Sequence, residues 1–395
     1  MKYNFDQIID RKNTDCYKID SLKRRFGRED LISLWVADMD FLSPSCITEA
    51  LNKRIGHGVF GYTFASDGYY NSIINWLQTR HDWTIRKEWL TFVPGVVKGF
   101  AFAIDEFTEK GDKIIIQPPV YHPFRIVSEE LGREVVNNPL LLENGRYCID
   151  FDGLENIIAE NDCKMLIFCN PHNPGGRMWT KDEMAKLAEI CYDNNILVVS
   201  DEIHSDLALP GNKHIPFGTV SEKAAHNNVT LMAPSKTFNI AGIVSSFAVI
   251  ENPQIRKRYF EYLEPRELNQ GTVFAYAATE AAYTGGEEWL DEALAYIQQN
   301  ADFVNDFLNK NIPQIKAMKP DASFLIWLDC SELNLSQDEL VKLFTDKANL
   351  ALNDGTMFGG EGKGFMRLNI GTPRAVIEKA LNNLKKAVDT ENILP

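Results

Sequence analysis

The sequence predicts an α/β protein: a large domain built on a mostly parallel sheet with helices on both faces, followed by a smaller α/β domain. Three observations predict this. Short apolar runs alternate with helical patterns from about residue 90 to 250. Those runs are apolar at successive positions, the mark of strands buried on both faces. Shorter elements of strand and helix alternate again after about residue 290.

In order, residues 113–117, 165–169, 196–200, 229–232 and 246–250 read as buried strands. Between the second and third, Thr180 and Glu183 form a capping box that opens a helix over 180–189, with apolar residues at helical spacing. Later come a helix over 289–308, a strand over 322–328, a helix over 336–348, a strand over 365–370 and a closing helix over 373–388. The large domain is placed at residues 48–288 and the small one at 1–47 and 289–395, the N-terminal segment packing onto it. No repeat, low-complexity tract or long linker interrupts this pattern.

Composition narrows the functional classes. With 45% hydrophobic residues in a chain of 395, there is ample core for one elaborated domain or two. A net charge of −14 opposes binding to nucleic acid or anionic membranes. The basic run Lys23, Arg24 and Arg25 reads as a solvated helix face. The acidic, polar start predicts no secretory signal, and the longest apolar runs, such as 99–104, are too short to span a bilayer. Seven cysteines, odd in number and without a Cys-x-x-Cys pair, predict thiols in a reducing cytoplasm and neither disulfides nor zinc.

Chemistry concentrates at strand ends, where ligands bind in such sheets. Asn170, Pro171, His172, Asn173, Pro174, Gly175 and Gly176 follow one predicted strand, and Asp201, Glu202, Ile203 and His204 follow the next. Lys236 lies just beyond a third, within Ala233, Pro234, Ser235, Lys236, Thr237, Phe238 and Asn239. An amine nucleophile, a carboxylate for a pyridinium nitrogen and an amide for a phenolic oxygen are what pyridoxal phosphate requires. Lys236, Asp201 and Asn173 supply them in that order. Gly95, Val96 and Val97 precede an apolar helix, and their free N–H groups are candidates to cradle a phosphate, although many loops carry glycine before a helix. Tyr121 fits a ring stacked on a flat cofactor and fits equally a core or turn aromatic. Arg367 fits a clamp on a substrate carboxylate, or an ion pair on a small-domain strand.

Together these residues resemble the fold-type I pyridoxal-phosphate enzymes, the class I/II aminotransferase superfamily. Within it they are most similar to the cystathionine β-lyase/cysteine-S-conjugate β-lyase branch that includes the maltose-regulon modulator. The narrower resemblance rests on Trp35, Val36, Ala37, Asp38, Met39, Asp40 and Phe41, on Gly61, Tyr62 and Thr63, and on the stretches around Asp201 and Lys236. It implies a seven-stranded sheet, a small-molecule amino-acid substrate, and a cytoplasmic homodimer with shared active sites, in which Tyr62 reaches the neighbouring subunit's phosphate. It also implies cofactor contacts from His204 and Ser235, and from Asn173 towards the substrate carboxylate. The expected reaction is α,β-elimination from L-cystathionine or a related L-cysteine thioether. Transamination, or an added role in modulating a transcription regulator, are the alternatives. Two positions depart from the aminotransferase pattern: His204 stands where many have tyrosine, and Val244 where they carry a phosphate-binding arginine.

Overall fold

The computed structural model describes residues 2–390. Seven strands, β1 (Leu90–Val93), β2 (Lys113–Ile116), β3 (Glu134–Asn137), β4 (Cys163–Cys169), β5 (Leu197–Asp201), β6 (Asn228–Met232) and β7 (Ser246–Val249), form one sheet. Their order is β1-β7-β6-β5-β4-β2-β3. Only β7 runs antiparallel to its neighbours. A parallel pairing needs a crossover, usually a long helix. The link from β6 to β7 instead carries a single short helix, Pro234–Thr237, and one 3-10 turn, Ala241–Ile243.

The uninterrupted apolar strands have a direct packing cause. Their side chains alternate between faces, and each face has its own core. Ile114, Ile116, Met165, Ile167 and Val199 point to one side and pack with Phe100, Ala103 and Ile104 of the helix Val96–Phe107. Ile115, Leu166, Phe168 and Val198 point to the other and meet Met184, Leu187 and Cys191 of the helix Lys181–Asp193. That second helix begins at the predicted capping box of Thr180 and Glu183.

The C-terminal part differs from expectation in detail. Its sheet is antiparallel, ordered Lys316–Ala317, Leu325–Asp329, Phe365–Asn369, Asn353–Asp354. The helices Glu287–Asn311 and Arg374–Thr390 accompany it. The helix predicted over 336–348 is α-helical only at Gln337–Lys342 and continues as a π-turn, Leu343–Lys347. The N-terminal segment packs against this part of the fold. Phe5 packs against Trp289 and Tyr296, and Ile32–Ser33 pairs in parallel with Leu350–Ala351. The core containing Phe5, Leu325 and Leu368 also takes in Trp76, Phe238 and Phe247, so hydrophobic packing is continuous across both sheets.

Trp327 joins the two sheets on the remaining side. It is fully buried and stacks on Phe365 with ring centroids 5.2 Å apart. It meets Phe358 edge-on and donates from Nε1 to the Tyr147 hydroxyl at 3.1 Å. Trp327→Ala is expected to cost about 3–5 kcal/mol, read as a lowered urea midpoint. A loss below about 1 kcal/mol would mean that this contact does not hold the sheets together.

Candidate active site

The carboxyl ends of β1, β4, β5 and β6 open into one cavity of about 480 Å³. It is lined by Gly95, Val96, Val97, Tyr121, Asn173, Asp201, His204, Ser235, Lys236 and Arg367, so the structure brings these predicted residues together. Tyr62 stands apart, fully exposed and outside this cavity.

Lys236 sits in the one-turn helix that follows β6. Its Nζ donates to the Ala37 carbonyl at 2.6 Å. Burial pushes the amine down to about 8; Asp38 and Asp201 pull it up, and Arg367 pushes it further down. The turn is pinned on both sides. Thr237 Oγ1 donates to buried Asp206 at 2.9 Å, and Asp206 also accepts from Trp76 Nε1 at 2.8 Å. Asn239 accepts from the Met39 N–H and donates to the Met39 and Phe41 carbonyls.

Arg367 reaches in from the strand Phe365–Asn369 of the second sheet. Its Nη1 donates to Asn173 Oδ1 at 3.0 Å; its Nη2 donates to the Trp35 carbonyl at 3.1 Å and to Asn353 Oδ1 at 2.7 Å. All three acceptors are neutral. Burial lowers the guanidinium to about 10, so it stays cationic at neutral pH, and it lacks a carboxylate partner among the described residues. Its Nε is buried and unpaired among the same residues. A buried cation without an anion is costly, and an incoming carboxylate would complete the pair. Because Asn173 spends its oxygen on Arg367, its amide NH₂ is left as the group to donate elsewhere.

Asp201 ends β5 and is buried, with the Ile203 N–H at 3.1 Å from Oδ1. Burial pushes its carboxyl up to about 7, against the pull of that hydrogen bond and of Lys236. His204 is held neutral: burial, with Lys236 and Arg367 nearby, lowers it to about 3, and its Nδ1 has no partner among the described residues. Burial and the Asp201 charge raise the Tyr121 phenol to about 12.

The opposite end of the cavity is formed by the start of the helix Val96–Phe107. Here one expectation is corrected. Gly95 does not offer a free N–H, because it donates to the Val93 carbonyl at 2.9 Å. Its φ of +109° is a conformation suited to glycine. Val96 and Val97, in the first helical turn, keep N–H groups with no intrahelical acceptor. Ser235 lines the cavity, as does Val244, a β-branched residue at φ +56°.

Several lining groups were not singled out from sequence. The Ala37 carbonyl was invisible because a backbone acceptor carries no residue identity, although the stretch around it was recognised. Lys98, His122 and Asn353 also line the cavity. His122 directly follows Tyr121, and Lys98 lies one residue past the Gly95–Val97 turn, so adjacency was the available signal.

Asp201 provides a pH test on the ligand-free protein. Its folded value, about 7, lies above the usual carboxylate value near 4, so the folded state holds this proton over the interval between them. The stability it contributes is complete below about pH 4 and is lost as pH rises through about 7. Asp201→Asn removes this titration. In urea unfolding, wild type is expected to lose about 2–3 kcal/mol relative to Asp201→Asn between pH 5 and 8. Parallel pH dependences would show an ordinary carboxylate.

The site can be compared with known proteins. Residues 29–384 match the family described as Aminotransferase class I and II. "Cystathionine beta-lyase PatB" of Bacillus subtilis is 44% identical, over 98% of this chain and 100% of that protein. The structure of cystalysin from Treponema denticola, described as containing a pyridoxal 5'-phosphate cofactor, superposes with a TM-score of 0.95 at 36% identity, over 99% of this chain and 100% of that one. The PLP-bound C-S lyase from Staphylococcus hominis superposes at 0.90 with 33% identity, over 98% of each chain. The chain is therefore a member of the class I and II aminotransferase family, with the fold-type I architecture of its pyridoxal-phosphate enzymes.

Proposed function

We propose that the chain is a pyridoxal-phosphate-dependent carbon–sulfur β-lyase that cleaves L-cystathionine or related L-cysteine S-conjugates. With one water, such a substrate gives a thiol, pyruvate and ammonia. The observation that carries this reading is the convergence of a half-buried amine, a buried carboxylate and an unpaired guanidinium on one cavity. Relatives alike over the full chain length and named for this activity support it.

The residues present fit the cofactor. Asp201 is a buried carboxylate without a cation bonded to it, suited to a protonated ring nitrogen. The Asn173 NH₂ is available for the ring's phenolic oxygen, and Tyr121 for its face. The Val96 and Val97 N–H groups, with Ser235, are placed for the phosphate. When bound, the cofactor supplies the electron sink that lets a proton leave Cα and a thiolate leave Cβ.

The protein's part is positioning and proton transfer. Arg367 takes the substrate α-carboxylate through its fork of donors. Lys236, whose amine is lowered to about 8, has a substantial neutral fraction near that pH and can accept the Cα proton. The C–S bond breaks with its electron pair going to sulfur, and the proton held by Lys236 is available to the departing thiolate. His204 stays neutral and adds no competing positive charge beside these groups.

The working form is read as a homodimer with shared sites. Val59, Phe60, Tyr62 and Phe64 are all exposed in one irregular segment, and such a cluster favours burial against another surface. Tyr62 would then complete the phosphate site of the second copy. The seven free cysteines support a reducing, cytoplasmic setting. Among the described residues, no helix is long and apolar enough to cross a membrane.

Purified protein with pyridoxal phosphate is expected to release pyruvate and free thiol in equal amounts from L-cystathionine. Lys236→Ala is expected to lower that rate by about 10³-fold or more. Pyruvate-free turnover requiring a keto-acid acceptor would instead identify an aminotransferase. Sharing of sites has its own test: Lys236→Ala and Tyr62→Ala proteins, each impaired under limiting cofactor, are expected to regain activity after subunit exchange. No recovery between proteins proven to exchange would mean that each subunit's site is self-contained.

A further inference from the structure

The cavity carries more positive charge than the roles given to Lys236 and Arg367 use. In a chain of net charge −14, its lining includes Arg25, Lys98, Lys236 and Arg367 but only one acid, Asp201. Arg367 lies deep in the site. Arg25 belongs to the short helix Leu22–Phe26 and is exposed.

Arg25 is the one member of the basic run Lys23, Arg24 and Arg25 that lines the cavity. Lys23 pairs with Glu29 at 3.0 Å, whereas Arg25 has no acidic partner among the described residues. Its guanidinium is held by aromatic groups instead. It donates to the Tyr17 hydroxyl, and its Cζ lies 5.6 Å from the Tyr17 ring centroid and 5.9 Å from that of Trp35. Trp35 is itself buried and fixed through Nε1 to the Lys18 carbonyl at 3.1 Å. A guanidinium lying over aromatic rings, one of them fixed, is oriented while its remaining donors stay available.

His122 links the two arginines in space. Burial, then the charge of Arg367, then that of Arg25 lowers its imidazole to about 4, so both cations act on it. Its Nδ1 is buried and without a partner among the described residues. The cavity thus carries one cation at its inner end, a second at its mouth, and a neutral imidazole within reach of both fields.

We propose that Arg25 is a specificity-determining residue that receives a second carboxylate, carried by the sulfur substituent of the substrate. This rests on the lyase reading above and narrows its substrate class to L-cysteine S-conjugates whose leaving thiol is itself an acid. The α-carboxylate goes to Arg367, the distal carboxylate goes to Arg25, and the sulfur lies between them.

The test compares two S-conjugates of nearly equal shape, S-(2-carboxyethyl)-L-cysteine and S-(3-methylbutyl)-L-cysteine, with holoenzyme and pyruvate release as the readout. Wild type is expected to favour the acid. Arg25→Gln is expected to reduce the acid-to-neutral ratio of kcat/KM by about ten-fold or more, mainly through KM, and Arg25→Lys to restore part of it. Added salt is expected to erode the wild-type preference and to leave the Arg25→Gln ratio nearly unchanged. A ratio in Arg25→Gln within about two-fold of wild type would overturn the assignment. If wild type releases pyruvate from neither compound nor from L-cystathionine, the lyase reading fails. Calorimetric titration of Lys236→Ala holoprotein, with and without Arg25→Gln, then decides on Arg25 from the same two compounds: a selective loss of acid binding sustains the role, and equal binding removes it.

Discussion

Five successive backbone carbonyls, from Trp35 to Met39, each accept a hydrogen bond from a side chain elsewhere in the chain, and the site depends on this. Arg367 bonds to Trp35, Asn369 to Val36 and Asp38, Lys236 to Ala37, and Asn239 to Met39. Lys18, fully buried, adds a bond to the Asp38 carbonyl and an ion pair to Asp40 at 2.8 Å. Arg11 closes the cluster by bridging Asp38 and Asp40. Irregular backbone away from water must find such partners. Here, two of those partners are the chemical groups of the cavity themselves. The same bonds that satisfy the wall therefore aim Lys236 and Arg367.

Electrostatics in the cavity follow from burial more than from pairing. Burial lowers Lys236 and Arg367 and raises Asp201, so each is displaced towards its neutral form. Asp38 goes the other way: burial would raise its carboxyl, but the Arg11 bond and the charges of Lys18 and Arg11 hold it below its ordinary range. The fold keeps one acid firmly ionised behind the wall and leaves the groups within the cavity poised. Ligands that bring a ring cation and a carboxylate would give Asp201 and Arg367 each a partner of opposite charge.

The central strands were legible because both faces are buried, so Ile114, Ile115 and Ile116 carry an unambiguous signal even though they serve different cores. β3 was not legible: it lies at the sheet edge, and Glu134 and Asn137 are exposed. The reversed direction of β7 depends on what its preceding connection leaves out, a crossover helix, and not on its own residues. In the site, Lys236, Asp201 and Asn173 were readable because each lies at or just beyond the carboxyl end of a buried strand. The Gly95 N–H was misread because a glycine before a helix does not reveal that its backbone turns back on Val93. Arg25 read as a solvated helix face because its neighbours in sequence are charged; its aromatic support comes from Tyr17 and Trp35, which no spacing rule joins to it.

The wall also has a history within each molecule. Its Val36 carbonyl is bonded by Asn369, 333 residues later, and the Ile32–Ser33 strand awaits Leu350–Ala351. A ribosome delivers the wall first and two of its fasteners, Arg367 and Asn369, almost last. Until then the central sheet can assemble while the wall lacks the bonds of Arg367 and Asn369. Such distant contacts carry a large loop-closure entropy and form late. The cavity is thus closed off by the final stretch of the chain, and a nascent chain can own every reactive side chain of the central sheet without yet owning a site.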